Sequence, residues 1–196
     1  MDNMDGLEVT DCTRCPDLVE SRSRIVNGTG PADADMLFVG EGPGEQEDAE
    51  GEPFVGRSGS ILDDKLREKG LARADVRITN CVRCRPPENR DPTAEELEHC
   101  RGYLEAEIEL VDPDVIVTLG KVPSEHLLDR DVAVTSEAGS VERATLGGAA
   151  REVLVCVHPA ATLYDRSQAG TFDAAIEKAA TIAGDGASGQ SQLGDF

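Results

Sequence analysis

Met36-Leu37-Phe38-Val39-Gly40-Glu41-Gly42-Pro43-Gly44 is an apolar run that ends abruptly in glycines. Consecutive apolar residues without polar alternation fit a strand buried on both faces, as in a parallel sheet covered by helices. Gly42 and Gly44 let the backbone turn sharply at the strand's carboxyl end and approach a ligand closely. In an open α/β sheet that end is where ligands bind. The chain continues through Glu45-Gln46-Glu47-Asp48 to Gly51-Glu52-Pro53-Phe54-Val55-Gly56-Arg57, which sets one exposed aromatic among Pro and Gly. The whole stretch reads as a binding loop.

Working outward, strands are expected at Ala34–Val39, Val76–Thr79, Asp114–Leu119 and Glu152–Val157, each ending just before Gly, Asn or His. Helices are expected at Ser58–Lys69, Thr93–Leu110, Lys121–Leu128 and Phe172–Ala183. Thr93 with Glu96 three residues on forms a capping box, and Pro92 marks the entry. Strands alternating with helices give an α/β fold: a four-stranded, mainly parallel sheet with helices on both faces.

The chain has 196 residues, 39% hydrophobic and 3% aromatic, enough for one domain with an aliphatic core. No apolar stretch approaches a membrane span, and Met1-Asp2-Asn3-Met4-Asp5 is unlike a signal peptide, so a cytoplasmic monomer with no membrane partner is expected. The formal net charge of -20 would normally argue against nucleic acid. Lysine occurs only at 65, 69, 121 and 178, while Asp and Glu total 39. That balance resembles proteins of salt-loving organisms. At about 1 M salt the screening length is roughly 3 Å, which mutes repulsion from DNA.

Six cysteines in an intracellular chain point to a metal site before a disulfide framework. Cys12 and Cys15 form a C-x-x-C pair; Cys81, Cys84 and Cys100 follow, and Cys156 in the last strand reads as core. Four thiolates hold either zinc or an iron-sulfur cluster, and spacing alone does not choose between them.

The block Ile78-Thr79-Asn80-Cys81-Val82-Arg83-Cys84-Arg85-Pro86-Pro87-Glu88-Asn89-Arg90 and the late Val157-His158-Pro159-Ala160-Ala161 complete a set. With the paired cysteines and the glycine-rich loop, and in this order over roughly residues 10 to 183, the chain resembles the family 4 uracil-DNA glycosylases, the iron-sulfur branch of their superfamily. The resemblance implies a three-layer α/β/α fold and a [4Fe-4S] cluster on Cys12, Cys15, Cys84 and Cys100, with zinc as the alternative. It implies cleavage of uracil from single- or double-stranded DNA, leaving an abasic site for base excision repair. Cys81 stands where the family has an apolar residue.

The chemistry assigns roles beside the resemblance. A flipped base needs an aromatic face, for which Phe54 stands. The uracil edge pairs a carbonyl with an N–H, and the Asn80 carboxamide matches both. A neutral His158 can donate to the carbonyl that gathers charge as the base leaves. Glu41 is placed on the sugar side, Gly42 gives backbone approach, and Glu47 resembles the residue that walls off the uracil C5 position. Leu163 resembles the wedge into the vacated stack. Arg57, Arg83, Arg85 and Arg90 are candidate phosphate contacts. His99 and His126 read as ordinary helix residues.

Residues 1–183 are expected as the glycosylase domain and 184–196 as a flexible tail. Gln190, Leu193 and Phe196 match the Q-x-x-aliphatic-x-x-aromatic pattern of peptides that bind sliding clamps. Two other function classes stand beside this one: a non-catalytic iron-sulfur or zinc DNA-binding module, and a superfamily relative acting on another deaminated base such as hypoxanthine.

Overall fold

The computed structural model describes residues 4–190. A short ribbon opens the chain, β1 (Met4–Asp5) with β2 (Glu8–Val9), and α1 (Pro16–Ser21) follows. Next come β3 (Met36–Gly40), α2 (Glu45–Glu50), α3 (Arg57–Glu68), β4 (Arg77–Asn80) and α4 (Ala94–Val111). The remainder is β5 (Val115–Leu119), α5 (Lys121–Leu128), α6 (Val134–Glu137), β6 (Val141–Leu146), β7 (Ala149–Cys156), α7 (Ala161–Tyr164) and α8 (Ser167–Gln190).

The central sheet has five strands in the order β4-β3-β5-β7-β6. The four expected strands pair in parallel, and the fifth, β6, adds antiparallel to β7 at the edge. β6 escapes a sequence reading because Glu142 and Arg143 interrupt its apolar residues, as suits an edge strand.

Buried strands explain the two apolar layers. Met36 and Phe38 pack with Leu62 and Leu66 of α3 and Phe172 and Ile176 of α8. Leu37 and Val39, pointing the other way, pack with Leu104 and Ile108 of α4 and Leu127 of α5. Helices therefore cover both faces. The Thr93 capping box starts α4 as expected, Thr93 Oγ1 accepting from the Glu96 amide at 3.2 Å.

Two expectations need correction. The last helix extends to Gln190, so residues 184–190, expected as the start of a flexible tail, are helical; Leu193 and Phe196 lie outside the described residues. Arg83, expected at the DNA surface, is 2% exposed. Its Nη2 donates to Glu107 Oε2 at 2.7 Å, while Arg77 Nε donates to Glu107 Oε1 at 2.6 Å. A buried carboxylate needs such partners, and this one fastens β4 and its following loop to α4.

Candidate active site

Three strand ends build the site. Gly40 at the end of β3 is in register with Asn80 at the end of β4. The ladder runs on, Cys81 N–H to Gly40 O at 2.9 Å and Val82 N–H to Glu41 O at 3.1 Å, which sets Glu41 beside Asn80. Beyond β7, Gly120 N–H donates to Cys156 O at 3.0 Å, and His158 follows two residues later. Between these ends lies a cavity of about 300 Å³ lined by Glu41, Gly42, Gly44, Glu47, Phe54, Ser58, Asn80, Asn89 and His158. Every residue assigned to the base and sugar thus meets at one place.

Asn80 is 3% exposed, and its Oδ1 is buried with no hydrogen-bond partner among the described residues. An unpaired buried acceptor costs about 1–3 kcal/mol, so this oxygen is held ready for a donor that enters the cavity. Gly40 makes the arrangement possible: a Cβ there would collide with both Asn80 Oδ1 and the Phe54 ring.

Phe54, expected to be exposed, is 6% exposed and belongs to the apolar layer under α3 and α8 while its ring lines the cavity. One ring serves both packing and the pocket wall. Its backbone is left-handed (φ 54°), and Arg73 Nη1 donates to its carbonyl at 2.9 Å. The ring centroid lies 6.1 Å from that of His158, tilted by 32°.

The backbone N–H of Ala160 donates to His158 Nδ1 at 3.2 Å, so in this network Nδ1 is an acceptor and the ring proton belongs on Nε2. Burial pushes the His158 pKa down, with the nearby Glu47 charge opposing, which favours the neutral ring. Glu41 is pushed up to about 7, first by burial and then by the charge and hydrogen bond of Asp91. Glu47, placed by sequence in a loop, stands in the first turn of α2. It accepts from the backbone N–H groups of Gly44 (3.1 Å), Val55 (3.2 Å) and Gly56 (3.1 Å), closing the glycine-rich loop on itself.

The cysteines gather on the side of the molecule formed by α1, the loop after β4 and α4. Cys15 and Cys84 are buried against Leu18; Cys100 is buried with Val9, Val82 and Tyr103, and Cys12 packs against the same residues. Burial pushes the Cys15 thiol up to about 12, and the charges of Cys100, Cys12, Glu96 and Cys84 act in the same direction. Arg22 Nη1 donates to Cys84 Sγ at 3.0 Å and its Nη2 to Cys12 O at 2.8 Å. His99, read from sequence as an ordinary helix residue, has Nδ1 3.3 Å from Cys15 Sγ. Among the described residues no three His, Cys, Asp or Glu side chains converge tightly enough to hold one metal ion. Four cysteine sulfurs drawn from these three segments are a donor chemistry that an iron-sulfur cluster or zinc accepts. Cys81 is 1% exposed in the layer under α4 and α5, with Leu37 and Val39, and Cys156 lies in the other layer.

A family model described as the uracil DNA glycosylase superfamily matches residues 27–180, which include every residue lining the cavity. The chain belongs to the uracil DNA glycosylase superfamily. Its similarity to type-4 members is high: 46% identity over 160 residues with the type-4 uracil-DNA glycosylase of Thermotoga maritima, covering 81% of each chain. The type-4 enzyme of Archaeoglobus fulgidus is 38% identical over 190 residues, covering 94% of this chain and 95% of its own. That of Saccharolobus solfataricus is 41% identical over 172 residues, covering 84% and 79%. The chain is therefore a type-4 member of the superfamily.

In this glycosylase-family chain the outer residues separate into paired and free. Arg57, exposed at the start of α3, makes no ion pair among the described residues. Arg85 Nε donates to Asn89 Oδ1 at 2.9 Å, and Arg90 forks onto Glu96 at 2.7 and 2.8 Å. Leu163 is 45% exposed on α7. Sequence reasoning missed Asn89, Asp91 and Ser58. Asn89 has a left-handed backbone (φ 55°), and its place after Pro86-Pro87 was the available signal, since Asn tolerates that conformation in turns.

Proposed function

We propose that the chain flips deoxyuridine out of DNA and hydrolyses its N-glycosidic bond, leaving an abasic site. The observation that carries this is the orphaned Asn80 Oδ1 facing a base-sized cavity beside a neutral His158. Uracil N3–H donates to Asn80 Oδ1, and Asn80 Nδ2 donates to the neighbouring carbonyl. Cytosine has an amino group in place of that carbonyl and no proton on N3, so neither bond forms. Phe54 stacks on the ring, and Glu47 bounds the C5 side. As the bond to C1′ breaks, its electron pair moves onto uracil, and His158 donates to the carbonyl that takes up the charge. Ionised Glu41 stabilises the cationic sugar or orients the water whose oxygen then bonds C1′, the released proton passing to solvent. Arg57 and Arg85 contact phosphates, and Leu163 fills the gap in the stack.

Cys12, Cys15, Cys84 and Cys100 would hold a [4Fe-4S] cluster, which when bound ties the N-terminal segment, the loop after β4 and α4 together. The net charge of -20 supports a protein adapted to concentrated salt. The test is anaerobically purified protein, its brown absorbance recorded, assayed on U·G, U·A, single-stranded U and T·G oligonucleotides over a series of KCl concentrations. Uracil is expected to be released and thymine retained, with activity persisting in concentrated KCl. Asn80→Asp is expected to abolish uracil release or admit cytosine. No abasic product from any uracil substrate would overturn the catalytic reading.

A further inference from the structure

Tyr164 is 88% exposed, the most exposed of the large hydrophobic side chains among the described residues. It stands on α7, which begins three residues after His158. Ala161 N–H donates to His158 O at 2.9 Å, Leu163 N–H to Ala160 O at 3.1 Å and Asp165 N–H to Ala161 O at 3.0 Å. Asp165 then accepts from Ser167 N–H at 2.9 Å, joining α7 to α8. An exposed ring is thus held in fixed relation to the half-buried His158 imidazole.

That ring lines a groove of about 420 Å³, separate from the uracil cavity but sharing its His158 wall. Val134, Val157 and Ala161 give the groove an apolar floor, and Lys121 stands at its edge. The Lys121 side chain is 65% exposed, with its paired carboxylate, Glu125, only at 3.6 Å. Gln168, also lining the groove, has a buried Oε1 without a hydrogen-bond partner among the described residues. Gly120 shapes the wall between groove and cavity: its backbone is left-handed (φ 110°), and a Cβ there would press on His158 Cβ at 3.3 Å. Leu163 does not line this groove. Neighbouring residues on a helix point about 100° apart, so Leu163 and Tyr164 serve different places.

Resting on the uracil reading, we propose that this groove is a subsite for the nucleotide next to the flipped uridine on the same strand, its base stacked on Tyr164 and its phosphate met by Lys121. A strand that delivers uridine past His158 into the cavity passes the groove, which shares that residue. The complementary strand has no such constraint. Thr135, Asp165 and Gln168 also line the groove, but stacking on an aromatic face is indifferent to base identity, as a repair enzyme requires. Tyrosine gives that face at low rotamer cost.

The test uses single-stranded oligonucleotides with one uridine, whose neighbour on either side is a normal nucleotide or a baseless tetrahydrofuran. For wild type, removing the base on one of the two sides should lower kcat/KM about tenfold, mostly through KM. Tyr164→Ala should lose a similar factor on the normal substrate and nothing further on the baseless one, while Tyr164→Phe should match wild type. Lys121→Gln should reduce the slope of log affinity against log salt by about 1. A separate readout needs no cleavage: 2-aminopurine next to an uncleavable 2′-fluoro-deoxyuridine should be quenched by wild type and Tyr164→Phe but not by Tyr164→Ala. Equal quenching by all three, or a Tyr164→Ala loss that is the same with and without the neighbouring base, overturns the subsite. Quenching without uracil release from cleavable substrate would instead overturn the uracil chemistry alone.

Discussion

Glu41 is held under two opposed demands. The proposed reaction uses its carboxylate, while burial and Asp91 push its pKa from the ordinary 4.5 to about 7. Between those values the folded protein keeps a proton that the unfolded chain has released. Raising pH across that window therefore weakens the fold. The same rise supplies the ionised form the sugar cation needs. Wild-type kcat/KM is expected to climb as pH rises through about 7, and Glu41→Gln should lack that limb and be much slower. In thermal melts Glu41→Gln should be more stable than wild type at about pH 8 and lose that advantage near pH 4.5. A wild-type profile without a limb near 7 would contradict the assignment. His158, by contrast, needs no ionisation change in the proposed reaction, because burial lowers its pKa and favours the neutral ring.

At the scale of elements, the loop after β4 distributes its cysteines by continuing and then leaving the strand. Cys81 still follows the ladder, its N–H bonded to Gly40 O at 2.9 Å, and so its side chain enters the layer under α4 and α5. Three residues on, Cys84 has turned to meet Cys15 and Leu18. Cys84→Ser is expected to lose the brown absorbance of the anaerobically purified protein, and Cys81→Ser to keep it. Bleaching by Cys81→Ser alone would reassign the ligand. Elements with strong local signals were legible in the sequence: α5 occupies Lys121–Leu128 as expected, and the Thr93–Glu96 box opens α4. α2 was not, because its six residues are mostly acidic and carry no apolar stripe. Its order comes from Glu47 reaching across to Val55 and Gly56, a contact that local pattern does not contain. α8 was shortened for a related reason, its glycines reading as linker.

Across the whole molecule the acidic balance and the C-terminal peptide are the features that the pocket does not absorb. Arginines are largely consumed in ion pairs, as with Arg101 to Glu105 and Asp129 or Arg130 to Glu137 and Glu142, so the net charge of -20 is spread over a surface of paired and unpaired carboxylates. Among the described residues no helix is long and apolar enough to cross a membrane. Gln190 closes α8, and the peptide it begins continues outside the described residues. Deleting residues 190–196 is expected to abolish binding to a sliding clamp while leaving cleavage of free oligonucleotides intact. Unchanged clamp affinity would remove that role.

The sequence by itself determined the four parallel strands, the main helices between them and the residue types at the strands' carboxyl ends, because hydrophobic period, glycine and capping chemistry are local. Asn80, His158, Phe54 and Glu41 were readable as candidates for the same reason, each sitting at a strand end or in a loop of marked composition, and all four line one cavity. Only the tertiary structure decided that Arg83 is buried on Glu107 rather than free for DNA, and that Phe54 is a wall shared with the core. It alone left Asn80 Oδ1 without a partner among the described residues and set Tyr164 beside a second groove. Those outcomes depend on which distant segments meet across the sheet, and no local pattern encodes what a side chain will find on the other side.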